Sequence, residues 1–259
     1  MTSKPAARAP GLAPELILTG PMATIKLRRP DMANRLEPED LHILRAFIRD
    51  VNARHEVLVL RMCAEGRHFC AGFNIGSVSD GSAGASFEAL ANELESARPV
   101  TIAAINGGVY GGATDLALAC DFRIGIETSQ MFVPAARLGL LFYRDGLQRY
   151  VSRLGLNTAK KLLLAAATFD AAQMQACGFL DTVVAPDALC DEVERLSAEL
   201  AAMAPLALLG MKKHLNRIAS GALDEDEFWR DVTQADASQD LREGALAWQE
   251  KRRPVFRGE

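Results

Sequence analysis

The sequence predicts an α/β fold ending in a helical third, and three observations carry that prediction. Short apolar runs alternate with helix-periodic segments over residues 15–126, two small-residue turns directly follow buried strands, and from Arg144 onward the periodicity is mostly helical. Strands alternating with helices imply a parallel sheet covered on both faces, with right-handed crossovers.

Each element has a local cause. Glu15–Leu18 and Ala23–Leu27 flank Gly20 and Pro21 and read as a hairpin that ends at Arg29 and Pro30. Pro38 suits the first turn of a helix, and Leu41, Leu44, Phe47, Ile48 and Val51 recur at helical spacing, predicting a helix over 37–53. Residues 57–60 are a buried strand. A second cycle follows, with a helix over 87–96, a strand over 99–105, a helix over 111–120 and a strand over 122–126. Leu180–Val184 is one late strand in the helical region. The reading is an N-terminal arm over 1–14, an α/β core over 15–200 and a helical region over 201–259, continuous and without a dividing linker.

Composition narrows the function. Hydrophobic residues make up 49% of the chain, ample for a large core, and 29 basic residues against 33 acidic leave a formal charge of -4. Neither nucleic acid nor an anionic membrane is expected as a partner; a small molecule is. Five cysteines, odd in number and without a C-x-x-C pair, suggest neither disulfides nor zinc, and His42, His55, His68 and His214 are isolated, so no metal is expected. No stretch approaches a membrane span, and a reducing cytoplasm is the expected location.

Chemistry concentrates in two segments. Residues 103–116 pass from an apolar strand through Gly107, Gly108, Gly111 and Gly112 into an Ala/Leu helix, which leaves free amides at a helix start. One strand earlier, Arg67–Ile75 supplies a second turn at Ala71 and Gly72. Together they resemble the signatures F-[CS]-A-G-A-D-[IL] and A-x-[NH]-G-x-x-x-G-G-G-x-[ED]-L-A of the crotonase (enoyl-CoA hydratase/isomerase) superfamily. Similarity extends over Arg29, Pro30 and Asn34, Pro134 with Arg137–Gly139, Gln148–Arg149, Phe169–Val184 and the ending Glu250–Phe256, and so over nearly the whole chain.

That resemblance implies a crotonase-like ββα spiral and an acyl-CoA enzyme that stabilises a thioester enolate between two main-chain amides. On matching positions these are the amides of Ala71 and Gly112. It implies no separate cofactor, since coenzyme A arrives within the substrate. Contacts to it are expected from Met32, Ala33, Arg35, Phe69, Ala71, Phe73 and Asn74, with Lys251, Arg252 and Arg253 as possible phosphate neighbours.

The acid–base machinery departs from the family pattern. Where a hydratase of this family carries two glutamates, this chain has Asp115 and Ala135. Asp115 or Asp145 is then expected as general base, with Tyr143 as donor, while a helix-start acid and an N-cap are the plain structural alternatives. The leading expectation is a lyase or isomerase related to enoyl-CoA hydratases. A crotonase-fold decarboxylase or hydrolase, or a silent acyl-CoA-binding protein, stand beside it because of Ala135. Phe228, Trp229 and Trp248 on polar helices suggest a docking surface, and the resemblance implies a homotrimer or homohexamer.

Overall fold

A computed structural model describes residues 11–74 and 82–259; most of the N-terminal arm, and Ile75 at the end of the first signature, lie outside them. The hairpin is β1 (Leu12–Thr19) and β2 (Met22–Arg28), antiparallel, with β1 starting inside the stretch read as an arm. Helix α1 (Pro38–Ala53) opens at the proline, and the Glu37 amide donates to the Asp40 carboxylate at 2.9 Å. Its buried residues include Leu41, Leu44, Ile48 and Val51, the stripe that the periodicity marks.

The chain then repeats one unit. Strand β3 (Val59–Ala64) is followed by β4 (His68–Cys70) and α2 (Ser82–Glu95), and β5 (Val100–Ile105) by β6 (Gly108–Tyr110) and α3 (Gly112–Ala119). A third turn opens with β7 (Phe122–Ile126) and β8 (Gln130–Phe132). The first strand of each unit joins a six-stranded sheet and the second joins a smaller one, so a single-sheet reading of the sequence is corrected to two sheets. The large sheet runs β1, β2, β3, β5, β7, β10, parallel from β2 onward, with β10 at Thr182–Val184. The small sheet runs β4, β6, β8, β9, the last strand being Phe169–Asp170. Its strands span three residues or fewer, too short to show a period of two.

The helical portion comprises α4 (Arg144–Leu154), α5 (Leu156–Leu163), α6 (Ala171–Ala176), α7 (Leu189–Ala201), α8 (Pro205–Ser220), α9 (Glu225–Ala237) and α10 (Gln239–Glu250). Two apolar clusters cover the faces of the large sheet. The larger includes residues of α1, α2 and α3; the smaller sets Val59, Val100, Ile102 and Ile124 against Leu189, Val193 and Leu200 of α7. Every residue of β5 is buried, which is why the run Val100–Ile105 reads as continuously apolar. No described helix is long and apolar enough to cross a membrane.

Candidate active site

Both signature turns leave the C-terminal ends of parallel strands, where open α/β sheets bind ligands. The first is zipped to the segment after β2. Leu36 donates its amide to the Gly72 carbonyl at 2.8 Å, Asn74 to the Leu36 carbonyl at 3.0 Å, and Ala71 to the Ala33 carbonyl at 2.8 Å. This brings the residues expected at coenzyme A, 32–35 and 69–74, side by side.

The same bonds correct one assignment. The Ala71 amide is committed to Ala33 and cannot also hold an enolate oxygen. Phe73 pairs with Leu36 as a parallel bridge whose bonds run through Gly72 and Asn74, so the Phe73 N–H points away from Leu36. Among the described residues that amide has no partner, and neither does Gly112 N–H, the first of α3, where no intrahelical acceptor exists. The sequence pattern identifies the turn but not which of its successive amides is free; the register of the bridge decides it.

Glycine is required where the turns meet. Gly72 has φ +85, and a Cβ there would lie 2.8 Å from the Tyr110 carbonyl oxygen and 3.1 Å from the Gly112 nitrogen. Gly111, the N-cap of α3, has φ 56 and ψ -131, which aims the helix start at the first turn.

Asp115 is fully buried one turn into α3 and receives two bonds from Arg149, Nε at 2.9 Å and Nη2 at 2.7 Å. The Tyr143 hydroxyl donates to its Oδ2 at 2.6 Å. Arg149 also donates to Asn92 and Glu95, at 2.8 and 3.0 Å. Asp115 is therefore the centre of an anchored polar cluster, not a carboxylate open to substrate. Burial first, then the adjoining carboxylate, pushes the Tyr143 phenol well above the ordinary tyrosine range, and it keeps its proton.

Asp145 does not join the turns. Its carboxylate accepts from the Asn92 amide at 2.6 Å, and it lines a cavity of about 230 Å³ with Glu95, Arg149 and Asn216. A larger cavity, about 740 Å³, lies at the opposite ends of the strands among His55, Arg98, Lys213 and Phe256, and no described residue of the two signatures lines it. Arg35 is engaged by Glu37 at 2.7 Å, and Asn74 donates to the same carboxylate at 2.7 Å. Phe69 is fully buried, so only its main chain is available to a ligand. Ala135 is buried in a single 3-10 turn (Ala135–Leu138), and the preceding Pro134 approaches a Cβ position at Gly111 to 4.0 Å. No group of described residues is arranged to hold a metal ion.

Sequence reading does not single out Phe87. A Cβ added at Gly112 would come within 2.9 Å of its ring. That ring sits 6.3 Å from the rings of both Phe73 and Tyr143, and Tyr143 stacks on Phe142 at 4.6 Å. An isolated phenylalanine on a helix stripe carries no signal beyond core packing.

Comparison with known proteins agrees with this architecture. Residues 19–259 match the family described as enoyl-CoA hydratase/isomerase. Enoyl-CoA isomerase/hydratase fer4 of Mycosarcoma maydis is 34% identical over 78% of this chain and 76% of its own. The crotonyl-CoA hydratase of Syntrophomonas wolfei is 29% identical over 91% and 94%. Among solved structures, Pseudomonas aeruginosa DspI superposes with a TM-score of 0.87 at 28% identity, covering 98% of this chain and all of that one (100%). An enoyl-CoA hydratase from Bacillus anthracis gives 0.86 at 25%, covering 96% and 100%. With its fold, its paired turns and a family match over nearly its whole length, the chain belongs to the enoyl-CoA hydratase/isomerase family.

Proposed function

We propose that this protein is an acyl-CoA enzyme of the lyase or isomerase class that holds the thioester oxygen between the amides of Phe73 and Gly112. The observation that carries this reading is the contact of two turns from separate strands, each presenting a main-chain N–H without an acceptor among the described residues. Donors aimed at charge that develops in the transition state are worth about 2.7–4 kcal/mol each. The dipole of α3 adds to them, because Gly112 is its first residue.

Within that class the site favours proton transfer by one unit over hydration by two carboxylates. Ala135 carries no proton, and Asp115 reaches the acyl side only through Tyr143. In the proposed step the Tyr143 oxygen takes a substrate proton while its own passes to Asp115 Oδ2; the reverse transfer returns a proton at another carbon, moving the double bond. Arg149 balances the carboxylate charge and fixes its position. Coenzyme A enters as part of the substrate, along main chain at Met32, Ala33 and Phe69–Asn74, and no further cofactor is required.

Assembly is proposed to be a homotrimer or homohexamer through α8–α10, which expose Leu215, Ile218, Trp229 and Trp248. A cytoplasmic location accompanies the free thiols.

Purified protein mixed separately with a 3-enoyl-CoA and with crotonyl-CoA tests the reading. Gain of conjugated thioester absorbance from the first, faster than its loss from the second, supports it. Hydration outpacing isomerisation refutes the one-unit mechanism, and tight binding without any turnover refutes catalysis.

A further inference from the structure

Resting on the acyl-CoA reading, we infer that Phe87 is the specificity-determining residue that limits acyl size at this site. The ring is only 3% exposed and its tip closes over Gly112, where a Cβ would meet Cζ at 2.9 Å and Cε1 at 3.0 Å. A thioester oxygen bound by Gly112 N–H lies about 2.9 Å from that nitrogen. Its carbonyl carbon is about 1.2 Å from the oxygen. On that reading the first acyl carbons run beside the ring that closes over Gly112.

Neighbouring side chains hold the ring in place. Phe73 meets it edge-on at 6.3 Å with 63° between planes, and Tyr143 lies at 6.3 Å, tilted by 42°. Tyr143 is itself fixed by its bond to Asp115 and its stack on Phe142. Buried and packed against these two rings, Phe87 acts as a wall, and an acyl group has to fit short of it. The site thus selects short acyl groups. Removing the ring leaves space beside Phe73 and Tyr143 for a longer acyl group.

Equilibrium binding of butyryl-, hexanoyl- and decanoyl-CoA, with free coenzyme A as reference, tests this without assuming a reaction. Wild-type protein is expected to bind butyryl-CoA more tightly than decanoyl-CoA. In Phe87→Ala the decanoyl-to-butyryl affinity ratio should rise at least about tenfold, the range one or two methylenes command in an apolar pocket. Affinity for free coenzyme A should stay within about twofold, since the ring borders only the acyl side. Phe87→Leu, which keeps more of the core filled, should shift the ratio in the same direction by less and carries the test where the alanine variant does not fold.

An unchanged ratio in a folded variant overturns the inference, as does a parallel loss of affinity for free coenzyme A and for every thioester, which marks Phe87 as core packing alone. Wild-type protein that binds no thioester more tightly than coenzyme A overturns instead the reading on which the inference rests.

Discussion

Replacing Arg149 with methionine tests the buried cluster most directly. Arg149 is 3% exposed and Asp115 0%, so the substitution removes a guanidinium from a carboxylate that has no access to water. Asp115 would retain only the Tyr143 hydroxyl, and Asn92 and Glu95 would each lose a bond from Arg149. Removing one partner of a buried ion pair typically costs about 3–5 kcal/mol, chiefly because the other charge is left uncompensated. Arg149→Met should therefore lose about that much stability in urea unfolding at neutral pH and fixed protein concentration, with little change in slope. In the double variant Asp115→Leu/Arg149→Met the stranded charge is gone, so the loss should fall at least about 2 kcal/mol short of the sum of the single losses. A cost below about 1 kcal/mol for Arg149→Met, or strict additivity in the cycle, would refute the view of Asp115 as an anchored charge.

Other perturbations reach separate parts of the structure. Gly72→Ala places a Cβ at φ +85 against the Tyr110 carbonyl and the Gly112 nitrogen; it should cost about 1–3 kcal/mol in unfolding and lower turnover at least about 100-fold, and wild-type turnover would argue against the paired turns. Burial pushes the Cys70 and Cys120 thiols from 9.0 up to about 12, and also raises Tyr143 and Tyr150 above 10.0. Their neutral forms are favoured in the folded chain, so this stability is complete below pH 9 and declines as pH rises from 9 toward 12, by about 1.4 kcal/mol per unit for each group titrating. Unfolding free energies that stay level over that window would contradict it. Cys190, the exposed cysteine, should react first with a thiol reagent in native protein, whereas Cys70 and Cys120 should react only on unfolding, as peptide mapping of the labelled protein would reveal. Asp240 is 3% exposed and accepts the amides of Arg257 and Gly258, both at 2.8 Å; Asp240→Ala should release the C-terminal tail and speed its trimming by a carboxypeptidase.

What the sequence made legible, and what it hid, separates along a physical line. Elements with a long or strongly biased pattern were readable: the α1 stripe, the fully apolar β5 and the passage from β5 through glycines into α3 each bury a face whose period shows in one dimension. The small sheet was not readable, because strands of two or three residues have no period and are fixed by their partners in space. At the site the same division recurs. Glycines mark where backbone must approach backbone, so both turns are legible in the sequence. Which amide is free depends on the register of Leu36 against Phe73, a pairing between residues 37 positions apart (Leu36 and Phe73) that no local pattern encodes.

The role of Asp115 was open for a related reason. A carboxylate one turn into a helix reads equally as base or as structural acid, and the deciding partner, Arg149, comes from another helix. Arg149 was visible only as part of a family motif, and its significance lies in burial. A guanidinium 3% exposed must have its charge balanced nearby, and it stands between Asp115 and Glu95. The departure at Ala135 and the capture of Asp115 thus belong together. With neither position offering a free carboxylate to the acyl group, the proposed proton transfer runs through the Tyr143 phenol, which is bonded to Asp115 and packed against the ring that covers Gly112.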